Sequence, residues 1–368
     1  MYKRVHFKYL LLALLNLIGL HYLFSFYFSG RRLIHSPEMV DISTDNTARV
    51  QPALTETIVS NKRRARAALV VLARNTDVYE MRKSMQQMED MFNRDYAYPW
   101  VFLNEEDFSD DFKEMTSAMT NAPTYYGKIS QEYWSIPPWI DQEKARLARE
   151  EMARNKVIYG GSLPYRHMCR FESGFFYRHP LLQDFDYYWR VEPGVEYFCP
   201  VDYDPFLFMQ DNGKKYGFVI TLHEVVETVP TLWETTKRFM KEYPHLIAKN
   251  NSLEFASDDN GKTWNLCHFW SNFEIGDLRL WRSEAYTKYF EYLDKEGGFF
   301  YERWGDASVH TLAALMFLNK DEIHFFNGMG YCPSTRKLTI NCHCNPFHSV
   351  DLYGITCNPR WKNITGMS

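Results

Sequence analysis

From Ala67 onward, short apolar runs alternate with segments of helical spacing, and this alternation restricts the chain to a narrow set of folds. Residues 67–73, 100–103, 187–191 and 217–221 have strand length and are rich in Val, Leu, Ile and aromatic residues. Between and after them come helical patterns. Val78, Met81, Met85, Met88 and Met91 repeat at helical spacing, and residues 110–119, 141–155, 231–243 and 283–293 follow suit. Strands interleaved with helices predict an α/β domain built on a largely parallel sheet. No Pro/Gly-rich linker interrupts residues 62–368, so one domain is expected there. There is no P-loop and no Gly-rich dinucleotide fingerprint, so a bound nucleotide must be held by another device.

Ahead of this domain the chain reads as three short pieces. Residues 10–28 carry no formal charge and, as a helix, would rise roughly 28 Å, about one hydrocarbon thickness. Lys3, Arg4 and Lys8 precede the run, Arg31 and Arg32 follow it, and no small-residue cleavage site comes directly after. The expectation is a cytosolic tail (1–9), a transmembrane signal anchor (10–28) and a polar lumenal stem (29–61). Lumenal placement agrees with glycosylation acceptors at Asn250 and Asn363 and with seven Cys, four of them in the C-terminal tail. The odd number leaves at least one thiol free or paired between chains. A net charge of −4 gives no support for nucleic-acid binding.

The stretch most suggestive of chemistry is Tyr187-Tyr-Trp-Arg-Val-Glu-Pro-Gly194. It reads as a strand that delivers Arg190 and Glu192 to its carboxyl end, followed by a Pro-Gly turn. Ligands of open α/β sheets bind beyond the carboxyl ends of the strands. A carboxylate there suits a divalent cation carrying a diphosphate. Arg74, at the end of the first strand, is similarly placed for a nucleotide. Tyr165, Arg166 and Arg170 lie in a stretch dense in hydrogen-bonding side chains, where two arginines suit phosphate. Glu274, among aromatic neighbours, suits sugar chemistry at an anomeric carbon. Glu302 and Asp306 read either as ligands for acceptor hydroxyls or, for Asp306, as a helix cap. Asp184-Phe-Asp186 and Asp202-Tyr-Asp204 match the D-x-D metal signature, but so short a pattern recurs by chance, and both read as structural.

With these residues in view, the chain resembles the fungal retaining α-1,2-mannosyltransferases of glycosyltransferase family 15. The matching motifs are L-V-V-L-A-R-N (69–75), W-S-I-P-P-W-I-D-Q (134–142), the run 165–176, Y-W-R-V-E-P (188–193), Y-G-F (216–218), P-T-L-W (230–233), N-F-E-I (272–275) and the run 297–310. The resemblance implies a GT-A fold, a single Rossmann-like mixed sheet flanked by helices, on a single-pass type II Golgi membrane protein. It implies GDP-mannose as donor, Mn²⁺ as cofactor and a mannosylated glycoprotein as acceptor. Glu192 then matches the metal ligand, Glu274 the nucleophile or cation stabiliser, and Tyr165 a reaction-centre residue. Arg74, Arg166, Arg170 and Arg190 become donor-pocket residues. One departure stands out: the family's His that serves as second metal ligand is missing after Tyr331, leaving Cys332, His343 or a water in its place. The alternatives are mannosylphosphate or other-linkage transfer, or a non-catalytic lumenal subunit.

Overall fold

The structure is a computed structural model that describes residues 63–197, 199–329, 331–333 and 354–367. The chain divides into two units, Met1–Asn61 and Lys62–Ser368, and all described residues belong to the second. The expected tail, anchor and stem lie outside the described residues. Among the described residues, no helix is long and apolar enough to cross a membrane.

The strands are β1 (Ala67–Leu72), β2 (Trp100–Asn104), β3 (Thr124–Lys128), β4 (Tyr187–Arg190), β5 (Val195–Tyr197), β6 (Tyr216–Phe218), β7 (Thr221–His223), β8 (Cys267–Phe269), β9 (Ile275–Asp277), β10 (Ile323–Phe325) and β11 (Tyr331–Pro333). The longer helices are α1 (Val78–Met88), α2 (Asp110–Ser117), α3 (Gln142–Arg154), α4 (Leu163–Gly174), α5 (Leu232–Glu242), α6 (Glu284–Glu296), α7 (Asp306–Phe317) and α8 (Asn358–Thr365). Seven strands form one mixed sheet in the order β10-β6-β9-β4-β1-β2-β3. Strands β4, β1, β2 and β3 run parallel, as do β10 and β6. Strand β9 alone is reversed, and it joins the two groups.

Both faces of the sheet are covered, and strand periodicity sorts the side chains between them. In β1, Leu69 and Val71 pack with Met81, Met85 and Met88 of α1, while Ala68 and Val70 pack into the cluster that holds α4, α6 and α7. Trp189 faces the first layer and Tyr188 the second. Each fully buried large side chain contributes about 1.5–3 kcal/mol. The expected strand over 217–221 is two strands in two sheets. After β6 the chain leaves the large sheet, and β7 pairs antiparallel with β8. Two-stranded pairing also joins β11 to β5, with Cys332 opposite Glu196.

Cys267 and Cys357 form a disulfide that ties α8 to β8, and Cys199 is also disulfide-bonded. Cys169 is a buried free thiol, and burial pushes its ionisation far above the usual range. Asp204 caps the short helix that follows it, through Phe206 and Leu207 N–H groups. That matches the structural reading of its D-x-D.

Candidate functional site

Three parallel strands end at one cleft. Leu72, Ala73 and Arg74 leave β1, Glu105 follows β2, and Glu192 lies two residues past β4. Their carboxyl ends lie side by side because β1 pairs in parallel with both neighbours. Together with Trp134, Tyr159, Ser162, Tyr165 and Met168 they line a cavity of about 270 Å³. Of the residues singled out from sequence, Arg74, Tyr165 and Glu192 meet here. The Arg74 side chain is half exposed, and its Nε lies 3.4 Å from Glu105. Tyr165 stands on the first turn of α4, which Ser162 caps by accepting the Tyr165 N–H at 3.2 Å. Burial raises its hydroxyl far above the usual phenol range, so it stays protonated as a donor.

Behind the cleft, one guanidinium organises the acids. Arg190 donates to Glu192 (2.6 Å) and to Asp306 (2.6 Å), and Ser271 donates to the same Asp306 oxygen at 2.7 Å. Burial opposes the charge on Arg190, but Glu192, Glu172 and Asp306 outweigh it and hold the side chain charged. Asp306 is likewise opposed by burial, yet Arg190 keeps it below the usual carboxylate range. Burial pushes Glu192 up against the pull of Arg190. Glu172, buried on α4, is pushed up to about 8, chiefly by desolvation. Glu192 and Asp306 therefore pair directly with Arg190, while Glu172, lifted to about 8, is mostly protonated at neutral pH. Glu192, the one of these acids that lines the cleft, offers the oxygen donor that fits a hard divalent cation.

Glu274 lies deeper. It immediately precedes β9, and because β9 runs against β4, its carbonyl accepts the N–H of Arg190 at 2.9 Å. Its side chain is fully buried. Tyr188 donates to one carboxylate oxygen at 2.7 Å, and Tyr216 to the other at 3.0 Å. His310 Nδ1 lies 3.1 Å from that second oxygen, and its Nε2 lies 3.1 Å from the Glu172 carbonyl. Both partners of the imidazole carry acceptor oxygens, and the ring bridges them. Trp281 donates to Tyr188 at 2.9 Å. Gly276 permits this arrangement: a Cβ there would come within 2.6 Å of the Tyr188 ring.

Three arginines expected in the donor pocket are placed otherwise. Arg166 is fully buried and donates to the carbonyls of Gly160, Ser162 and Glu302. Arg170 forms a buried bidentate pair with Asp294 of α6, at 2.7 and 2.8 Å. Arg190 is committed to Glu192 and Asp306. Each guanidinium is engaged by protein groups inside the fold, and none of the three lines the cleft. Asp306 is not the helix cap, since it is the first residue of α7 and pairs with Arg190. Glu302 is held by Thr231 and Trp304. Sequence reasoning passed over Glu172, Tyr188, Tyr216 and His310. The legible signal was the i, i+4 spacing of Asp306 and His310, which sets both on one face of α7.

The segment after which the family's second metal ligand is missing pairs next to the turn that carries Glu192. Strand β11 pairs with β5, three residues beyond Glu192. His343 lies outside the described residues.

The glycolipid 2-α-mannosyltransferase family model matches residues 34–366. The chain is 53% identical over 310 residues to alpha-1,2 mannosyltransferase KTR1 of Saccharomyces cerevisiae, covering 82% of this chain and 79% of that one. It is 52% identical over 313 residues to glycolipid 2-alpha-mannosyltransferase 2 of Candida albicans, covering 83% and 68%. Among solved structures it is similar to core-mannan synthase A (CmsA/Ktr4) of Aspergillus fumigatus in an Mn/GDP form. The TM-score is 0.80 with 39% identity, over 84% of this chain and 87% of that one. These matches, with a mixed sheet that carries the motif residues to one cleft, make the chain a member of the glycolipid 2-α-mannosyltransferase family.

Proposed function

We propose that this protein transfers mannose from GDP-mannose to the 2-hydroxyl of an α-mannoside, with retention of configuration. The observation that carries the reading is the meeting of Arg74, Tyr165 and Glu192 in one cleft at the carboxyl ends of β1 and β4, in a chain of this family. Mannosylated N- or O-linked glycoproteins are the acceptors in this reading, and the chain is a type II Golgi membrane protein anchored by residues 10–28.

Glu192 would hold a divalent cation, taken as Mn²⁺ because the A. fumigatus relative has an Mn/GDP form. When bound, the cation neutralises charge developing on the departing diphosphate. Arg190 keeps Glu192 oriented through Nε, and Arg74 presents a half-exposed cation to the phosphates. Tyr165, held protonated, donates toward an oxygen at the reaction centre. Glu274 supplies fixed negative charge to an oxocarbenium-like state. Its oxygens accept from Tyr188 and Tyr216, with His310 beside them, in a buried site, which suits a preorganised countercharge better than a free nucleophile.

The test is transfer by the purified full chain from GDP-mannose to methyl α-mannoside, with and without Mn²⁺. Mn²⁺-dependent formation of an α-1,2-linked disaccharide, lost in Glu192→Ala, is expected. A mannosylphosphate product, or binding without turnover across a panel of acceptors, would overturn the reading.

A further inference from the structure

The loop between α3 and α4 holds a large aromatic in an unusual position. Tyr159 is 57% exposed and lines the cleft with Glu192 and Arg74. Its backbone is left-handed, at φ +54°, as is that of Lys156 at φ +56°. A left-handed residue that is not glycine costs roughly 1–2 kcal/mol. Glycine would remove that cost, so retaining a large ring here requires a use for it. The Tyr159 ring stacks on Tyr165, with centroids 4.5 Å apart and planes 9° from parallel. That occupies one face of a ring that lines the cleft and is more than half exposed. Arg303 packs against Tyr165 as well, 5.1 Å from the ring centre.

The loop is clamped rather than loose. Arg166 donates to the carbonyls of Gly160 (2.7 Å) and Ser162 (3.1 Å), which flank the Tyr159 turn on its C-terminal side, and to Glu302 at 3.2 Å. None of its hydrogen-bond partners is a carboxylate, and burial lowers the group to about 10, so it remains charged at neutral pH. Gly160 fits so closely that a Cβ would lie 2.6 Å from Met152 Cβ. Holding a buried cation without a countercharge is costly. It is explained if the loop must hold its shape.

We propose that Tyr159 is the platform on which the acceptor pyranoside stacks its apolar C–H face, and that Arg166 positions that platform. The inference rests on the mannosyl-transfer reading above. An aromatic face suits an uncharged ring better than a diphosphate. It also suits guanine, but Tyr159 touches Tyr165, the residue assigned to the reaction centre. Guanine lies two phosphates from the reacting carbon, whereas the acceptor sugar has to reach it.

The experiment compares full-length wild type with Tyr159→Phe, Tyr159→Ala and Arg166→Lys, using methyl α-mannoside and GDP-mannose. Tyr159→Ala is expected to raise the acceptor KM about tenfold, with the KM for GDP-mannose and the Kd for GDP unchanged. Tyr159→Phe keeps the wild-type acceptor KM, because the stacking face survives. Arg166→Lys moves the acceptor KM in the same direction as Tyr159→Ala. An unchanged acceptor KM in Tyr159→Ala, or a matching loss of GDP affinity, overturns the proposal. Should wild type fail to transfer, the functional reading falls, and saturation-transfer NMR of methyl α-mannoside then decides the platform. Signal lost in Tyr159→Ala and kept in Tyr159→Phe supports it, and signal equal to wild type in Tyr159→Ala overturns it.

Discussion

Glu274 gathers more of the surrounding chemistry than any other side chain of the site. Two tyrosine hydroxyls donate to its carboxylate and His310 lies 3.1 Å from it, so removing it strands the Tyr188, Tyr216 and His310 groups in a dry interior. Glu274→Ala is therefore expected to destabilise the fold by about 2–5 kcal/mol as well as abolish transfer. Glu274→Gln, nearly the same shape, should keep most of the stability and still lose transfer. Urea melts and GDP binding on both variants separate the two effects. Glu172 offers a second residue-scale prediction. Its ordinary value is 4.5, and burial lifts it to about 8. Between those values the folded state keeps a proton that the unfolded state has lost, so its contribution to stability falls as pH rises through that window. Replacing it with Gln removes this dependence. The melting temperature of Glu172→Gln relative to wild type should be higher at pH 8 than at pH 5, and an unchanged difference would refute the assignment.

At the scale of elements, the sequence was readable where one physical signal dominated. The strands β1, β2 and β4 are apolar runs, and α1 shows a methionine stripe at helical spacing. The helix α4 was less legible, because Tyr165, Arg166, His167, Arg170 and Glu172 break up its apolar face. Ser162 at its cap and Pro164 in its first turn were the available signals. Strand β9 was illegible. It is three residues long with glycine at its centre, and only its partners define it. The arginines of α4 looked like phosphate ligands because composition cannot distinguish an inward helix face from a pocket. Arg170 shows what they do instead. Its pair with Asp294 joins α4 to α6, so Asp294→Ala is expected to cost about 3–5 kcal/mol in chemical denaturation by leaving a buried guanidinium unpaired.

At the scale of the whole molecule, the disulfide between Cys267 and Cys357 spans 90 residues. Closing a loop of that length lowers the entropy of the unfolded chain, by about 4–5 kcal/mol in the chain-entropy model. It also seats α8, where Asn358 accepts from the Thr221 N–H and hydroxyl. Replacing both cysteines with Ala is expected to lower the melting temperature by several degrees, as seen by calorimetry, while leaving the Arg74–Tyr165–Glu192 cleft able to bind GDP. The Glu192 carboxylate at the cleft likewise predicts that a divalent cation raises thermal stability, and Glu192→Ala should remove that increment.

The pairing of β11 with β5 sets an order of events during synthesis. Val195–Tyr197 leaves the ribosome more than a hundred residues before the strand that covers it, and β9 and α7 emerge in the interval. The nascent chain can build β1 to β3 early, but the turn carrying Glu192 stays without its partner strand until more than a hundred further residues have been made. A prematurely terminated product would thus carry the sheet's first half and most of its motifs, and still lack a finished site.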